Sequence, residues 1–237
     1  MQIDQDLCAS CGQCIPYCPM SAIKETPDSV IIVQDECVEC GVCKRSGVCP
    51  TDALTQPKLE WPRLIRSLFS DPITVHPGTG VAGRGTDELK TNDVTDRFVE
   101  GQVGFGVEMG RPNTGTTFRD LEKVSTRLAS LGVYFEPANP VTELMKDTAT
   151  GELQDDIKDE RVLTAIIEFI VDEDKVLPTL EILKEVAEEI DTVFSLDLIN
   201  RVGEGEPPCL SVIREHGYYL SPNGKVCIGI GRRVTEM

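Results

Sequence analysis

The sequence predicts an α+β protein in three parts. A small cysteine-rich domain covers residues 1–57, an irregular Gly/Pro-rich connector covers residues 58–100, and a duplicated βαβ sandwich covers residues 101–237. Three observations predict this. Eight of the ten cysteines lie within the first 49 residues, in two groups of four. Past residue 101 the apolar positions twice follow the order strand, helix, strand. Between these regions stand Pro72, Pro77, Gly78, Gly80, Gly83 and Gly85, which interrupt both helix and strand.

Composition narrows the functions. A chain of 237 residues with 40% hydrophobic content is that of an ordinary globular protein. Its longest apolar runs, such as "VLTAIIEFIV", are about half of the roughly 20 residues that a membrane-spanning helix needs, so no membrane association is expected. The opening "MQIDQDLCASCG" has no basic region ahead of an apolar core, and the expectation is a cytoplasmic protein. A net charge of -17 disfavours nucleic acid and anionic membranes. Acidic residues outnumber basic ones 8 to 3 in residues 1–57 and 22 to 11 in residues 125–237, but only 10 to 9 in residues 58–124. That near-neutral third is where an anionic small molecule would be tolerated, although ordinary surface variation also accounts for it.

The first cysteine group, Cys8, Cys11, Cys14 and Cys18, reads C-x2-C-x2-C-x3-C-P and ends at Pro19. The second, Cys37, Cys40, Cys43 and Cys49, reads C-x2-C-x2-C-x5-C-P and ends at Pro50. A reducing compartment leaves such thiols free for metal. Zinc takes C-x2-C pairs a dozen or more residues apart and has no use for a third cysteine three residues on. Three thiolates at three-residue intervals suit an iron-sulfur cubane, and Gly12 and Gly41 let backbone N–H groups approach the sulfurs. "QIDQDLCASCGQCIPYCPMSAI" is echoed by "IVQDECVECGVCKRSGVCPTDAL", each half reading as strand, cluster loop and short helical turn.

On these motifs residues 1–56 resemble bacterial-type ferredoxins that carry two 4Fe-4S clusters. The resemblance implies low-potential electron transfer and crossed ligation, in which the cysteine before proline serves the other cluster. Cys8, Cys11, Cys14 and Cys49 then hold cluster 1, and Cys18, Cys37, Cys40 and Cys43 hold cluster 2. Cys49 arrives two residues late, yet Pro50 and the echo of "CPMSAI" in "CPTDAL" make it the counterpart of Cys18. The insertion brings Lys44 and Arg45 beside cluster 2, where positive charge favours the reduced state, so the second cluster is expected to be the easier to reduce.

In the connector, "RLIRSLF" suits a short helix with Leu64, Ile65, Leu68 and Phe69 on one face. Gly78, Gly80 and Gly83 match G-x-G-x-x-G, but "RGTDELKTNDVTD" lacks the apolar face of a dinucleotide-binding helix. The remaining readings are a loop touching substrate or flavin through His76, Arg84 and Lys90, and a structural tie between the domains. His76 and His216 read as surface or loop residues rather than catalysts.

In the third part, "QVGFGVEM" reads as a strand, "FRDLEKVSTRLASLG" as a helix with Leu121, Val124, Leu128 and Leu131 inward, and "VYFEP" as a strand. The order repeats with "VLTAIIEFIV", then "VLPTLEILKEVAEEI" with Leu180, Leu183, Val186 and Ile190 on one face, then "TVFSLDLI". Joined by the acidic linker "ATGELQDDIKDE", the two units imply a sandwich of the ferredoxin-like or ACT-like kind. The tail reads as a strand pair turning at Asn223 and Gly224, with Cys209 and Cys227 as free core thiols or, alternatively, a disulfide or metal pair.

The stretch "WPRLIRSLFSDP…GRGTDELKTNDVTDRF…GFGVEMGRPNTGTTFRDLEKV" resembles the region after the ferredoxin domain of 6-hydroxynicotinate reductases, over roughly residues 59–145. That resemblance implies reduction of a heteroaromatic carboxylate. The expected role is therefore an electron-transfer component serving a redox partner or catalytic reductase subunit, with a flavin on that partner as a compatible cofactor. Arg84, Lys90, Arg111 and Arg119 are the candidate contacts to an anionic substrate. The loop of Arg111, Pro112, Asn113, Thr114 and Gly115, ahead of a helix N-terminus, is a candidate anion site or a simple connection. The alternative is a redox-linked, ACT-like regulatory or assembly module.

Overall fold

In the computed structural model, which describes residues 1–83, 97–111, 114–201 and 206–222, the N-terminal domain rests on two short antiparallel ladders. β1 (Gln2–Ile3) pairs with β4 (Leu54–Thr55), bringing the ends of the domain together, and β2 (Ile23–Glu25) pairs with β3 (Val30–Ile32). Strands this short bury little. Their core is Met1, Ala22, Ile23, Val30 and Leu54 packed among cysteine side chains. A unit of this size cannot gain much from apolar burial alone, and bound metal commonly supplies the rest.

The larger part is an α+β body. Its elements run β5 (Gln102–Met109), α3 (Phe118–Ser130), β7 (Tyr134–Phe135), β11 (Ala165–Asp172), α4 (Val176–Ala187) and β12 (Phe194–Asn200). The strands form one sheet in the order β12-β5-β11-β7, with all neighbours antiparallel. The two strand–helix–strand units interleave. Their first strands, β5 and β11, pair in the centre, and their second strands take the edges.

Alternation along the strands divides the faces. Val103, Phe105, Val107 and Met109 of β5 and Ala165, Ile167, Phe169 and Val171 of β11 share one core with Leu121, Val124 and Leu128 of α3 and Leu180, Leu183 and Val186 of α4. The register partners Phe105 and Phe169 stack with ring centroids 5.1 Å apart. Thr117 caps α3 by accepting a hydrogen bond from Asp120 N, and Pro178 sits in the first turn of α4. The other sheet face carries Gly104, Gly106 and Glu108 of β5 beside Ile166, Glu168 and Ile170 of β11. There Ile170 packs with Phe98 and Ile199, and Asn139 Nδ2 donates to Glu168 at 3.0 Å.

Several elements differ from the sequence reading. The apolar run over residues 162–171 is divided between β10 (Arg161–Val162), which pairs with β6 (Thr116–Thr117), and β11. The acidic linker is structured: β9 (Glu152–Leu153) pairs with β8 (Met145–Asp147) and a 3-10 turn follows. Leu153 and Ile157, both fully buried, seat it despite its charge. The tail begins with a helix, α5 (Pro208–Glu215), where a strand was expected. Pro207 and Pro208 preset its first turn, and Cys209 and Ile213, one turn apart, both enter the core. Asn223, Gly224 and Cys227 lie outside the described residues.

Within the connector, the expected helix forms as α2 (Leu64–Ser70), but its buried face differs. Ile65 and Phe69 join the body's core, whereas Leu64 is exposed and Arg66, Ser67 and Ser70 are buried. α2 is thus fixed to the body. Gly78 and Gly80 lie in a turn closed by the bridge between Val75 and Ala82, with His76 N donating to Val81 O at 2.9 Å, and Gly83 N just beyond it donates to Thr74 O.

Candidate metal centres

The eight N-terminal cysteines gather around two cavities. Cys8, Cys11, Cys14 and Cys49 line the first with Ile3, Val30 and Leu54. Cys18, Cys37, Cys40 and Cys43 line the second with Met1, Met20 and Ile23. All eight thiols are free. Among the described residues no three Cys, His, Asp or Glu side chains close on a single ion; the sulfurs surround a space. Four soft sulfur donors around an apolar-walled cavity are a donor set that fits a 4Fe-4S cluster.

The two halves repeat in backbone geometry. Ala22 N–H donates to Cys18 Sγ and Ala53 N–H to Cys49 Sγ, each at 3.2 Å. Ser21 and Asp52, three residues after those cysteines, have φ of 52° and 53°. Ser10 and Gly12 in the first loop match Glu39 and Gly41 in the second, all in the left-handed region. Such turns direct N–H groups towards the sulfurs. The two extra residues before Cys49 are taken up by a helical turn, α1 (Val42–Arg45), where the first half has only the 3-10 turn Ile15–Tyr17.

The environments of the two cavities differ. Cys37, Cys40 and Cys43 of the second cavity are buried and Cys18 is half-buried, whereas in the first Cys11 is exposed and Cys8, Cys14 and Cys49 are half-buried. Burial pushes the thiols of Cys37 and Cys40 upward and that of Cys43 up to about 12. At Cys49 the backbone hydrogen bond from Thr51 leads and draws the thiol down. Metal binding through Cys37, Cys40 and Cys43 would therefore have to displace protons that burial holds more tightly.

Three arginines contact the backbone around the buried set. Arg45 Nη2 donates to Cys40 O at 2.5 Å while its Nη1 pairs with Asp71 at 2.9 Å. Arg63 pairs with Glu39 at 2.6 Å and donates to Gln34 O at 3.1 Å. Arg66 Nη1 donates to Gln34 O at 2.9 Å and Cys37 O at 2.8 Å, while its Nε bonds Glu160 of the body. Lys44, by contrast, is exposed. A further contact joins the two parts. Met20, which lines the second cavity, lies against Gly115, leaving no space there for a Cβ. The sequence reading missed Arg63, Arg66, Glu160 and Met20. Arg63 and Arg66 at i,i+3 on a helix with an incomplete apolar face were the available signal.

Of the candidate substrate residues, the two that are described make separate ion pairs. Arg111 is bound by Glu108 on the sheet face away from the helices, whereas Arg119, in the first turn of α3, pairs with Asp159 at 2.7 Å. Arg84 and Lys90 lie outside the described residues. The N-terminus of α3 offers no open anion site. Phe118 N donates to Glu160 O, Arg119 N to Lys158 O and Asp120 N to the Thr117 hydroxyl, and Asp120 already supplies a carboxylate. His76, expected at the surface or in a loop, lies in a loop but is buried against the edge of Phe69, with Gly78 N donating to its Nδ1 at 3.3 Å.

Known proteins share the N-terminal pattern. The family model described as 4Fe-4S binding domain matches residues 1–24. An uncharacterized ferredoxin of Methanocaldococcus jannaschii is 42% identical over 55 residues, which is 86% of its length and 22% of this chain. The ferredoxin-like protein in the vnf region of Azotobacter vinelandii is 42% identical over 60 residues, 92% of its length and 24% of this chain. Ferredoxin-1 of Rhodobacter capsulatus is 48% identical over 40 residues, 62% of its length and 17% of this chain. With cysteine-lined cavities, paired N–H to sulfur bonds and two of these relatives matched over 86% and 92% of their length, the chain belongs, through its N-terminal domain, to the 4Fe-4S ferredoxin family.

Proposed function

We propose that this protein is an electron-transfer component with two 4Fe-4S sites of unequal role. The less buried set, Cys8, Cys11, Cys14 and Cys49, accepts an electron from a soluble donor. The more buried set, Cys18, Cys37, Cys40 and Cys43, delivers it towards the body. The observation that carries this reading is the asymmetry of burial, with the better covered set tied to the body through Arg66, Glu160 and Met20. A bound 4Fe-4S cluster supplies low-potential one-electron storage. The chain's own residues do the rest: left-handed turns aim N–H groups at sulfur, apolar walls exclude water, and arginines offset the charge of the buried thiolates.

The acceptor is a reductase centre on a partner subunit, with or without flavin. The resemblance of residues 59–145 to 6-hydroxynicotinate reductase makes a heteroaromatic carboxylate the first substrate to test. Anaerobic reconstitution with iron and sulfide tests the two-site reading. About eight irons and eight sulfides per chain and coupled paramagnetic signals on reduction are expected, and four irons would overturn it.

A further inference from the structure

Arg66 lies outside the ferredoxin domain, yet it is 5% exposed and directed at that domain's second cysteine loop. Its Nη1 reaches three carbonyl groups of the loop entry, those of Gln34 at 2.9 Å, Asp35 at 3.3 Å and Cys37 at 2.8 Å. Its Nε is held by Glu160, which precedes β10. One carbonyl is that of a cysteine lining the buried cavity, so the guanidinium stands beside the place where reduction would add negative charge. Arg45, the other guanidinium on a cysteine carbonyl, belongs to the domain itself and is 34% exposed, so water screens it far more.

From this geometry we infer that Arg66, a residue of the body, is the positioning and potential-setting group for the buried cysteine set, with Glu160 as its counterweight. The inference rests on the proposed electron-transfer reading. One-electron reduction adds one negative charge at the buried site and breaks no bond. Arg66 stabilises that charge across a poorly hydrated boundary, and Glu160 opposes it from the far side of the guanidinium. The potential of a ferredoxin-type site is thereby coupled to the packing of α2 and β10. A partner that shifts the body's Glu160 segment would change how readily the buried site gives up its electron.

The test is a potentiometric titration, followed by electron paramagnetic resonance, of the anaerobically reconstituted full chain and its Arg66→Gln and Glu160→Gln variants. Dithionite serves as reductant. Arg66→Gln should lower the reduced-to-oxidised ratio of one site at fixed potential by on the order of tenfold, which is about 59 mV for a one-electron couple. Glu160→Gln should raise it at the same site. A clamp with no electrostatic role would shift both variants in one direction or neither. Same-sign or absent shifts with full iron content overturn the inference and leave the proposed function standing. A wild-type protein that takes up no cluster overturns both. Should Arg66→Gln fail to fold, Glu160→Gln alone decides: a rise supports the inference, and a fall or no change refutes it.

Discussion

Gly115 sits where the body meets the second cavity, and its replacement by alanine tests that junction directly. Its φ is +72°, so a side chain there carries a left-handed strain of about 1–2 kcal/mol. A Cβ would also fall inside contact distance of Met20 Cε and come within 3.2 Å of Met20 Sδ and 3.1 Å of Val162 O. The end of a methionine can rotate away at a cost of about 1 kcal/mol in off-rotamer strain and lost contact. Gly115→Ala should therefore cost about 2–3 kcal/mol with Met20 present and about 1–2 kcal/mol in a Met20→Ala background. The coupling of about 1 kcal/mol is within what a double-mutant cycle resolves. For a chain of this size it corresponds to roughly 2–4 °C in melting temperature. The assay is thermal unfolding of the four proteins, loaded anaerobically, by circular dichroism. Equal costs in the two backgrounds would show that Met20 does not pack on Gly115, and the proposed junction would lose one of its supports.

Other outcomes follow from the same geometry. Cys49→Ala should leave about four irons and retain the site whose potential responds to Arg66→Gln, whereas Cys18→Ala should retain the other site; the reverse pattern would show that the ligands do not cross. Phe105→Ala removes a fully buried ring stacked on Phe169 and should cost about 3–5 kcal/mol in urea unfolding, with a smaller loss showing that the core collapses around it. Burial lowers the affinity of His76 for a proton, against the opposing pull of Glu143. Its stability contribution is therefore complete above the unfolded value of about 6.5 and is lost as pH falls through the lower folded value. Unfolding midpoints should drop over that window in the wild type and not in His76→Gln, and parallel profiles would contradict this.

How much was readable beforehand depends on the range of the interaction. Cysteine spacing within each loop is local. C-x2-C-x2-C with glycine between the sulfurs shapes a short loop, whatever surrounds it. The strands and helices of the body were legible for the same reason, since Val103, Phe105, Val107 and Met109 alternate and Leu180, Leu183 and Val186 recur at helical spacing. The reading failed where distant support outweighed local pattern. Leu153 and Ile157 seat an acidic segment as a hairpin and turn, and a Pro-Pro start with Cys209 and Ile213 on one face makes a helix of an expected strand.

By itself, then, the sequence determined two thiol-rich loops and the periodicity of the body. Only the tertiary structure decided that β5 and β11 pair at the centre, that one cysteine set is more deeply covered than the other, and that Arg66 reaches Cys37 across 29 residues while holding Glu160 across 94. Spacing along a chain constrains atoms a few residues apart. Burial, dielectric and the sign of nearby charge at a buried sulfur are set by whichever distant residues the fold brings beside it.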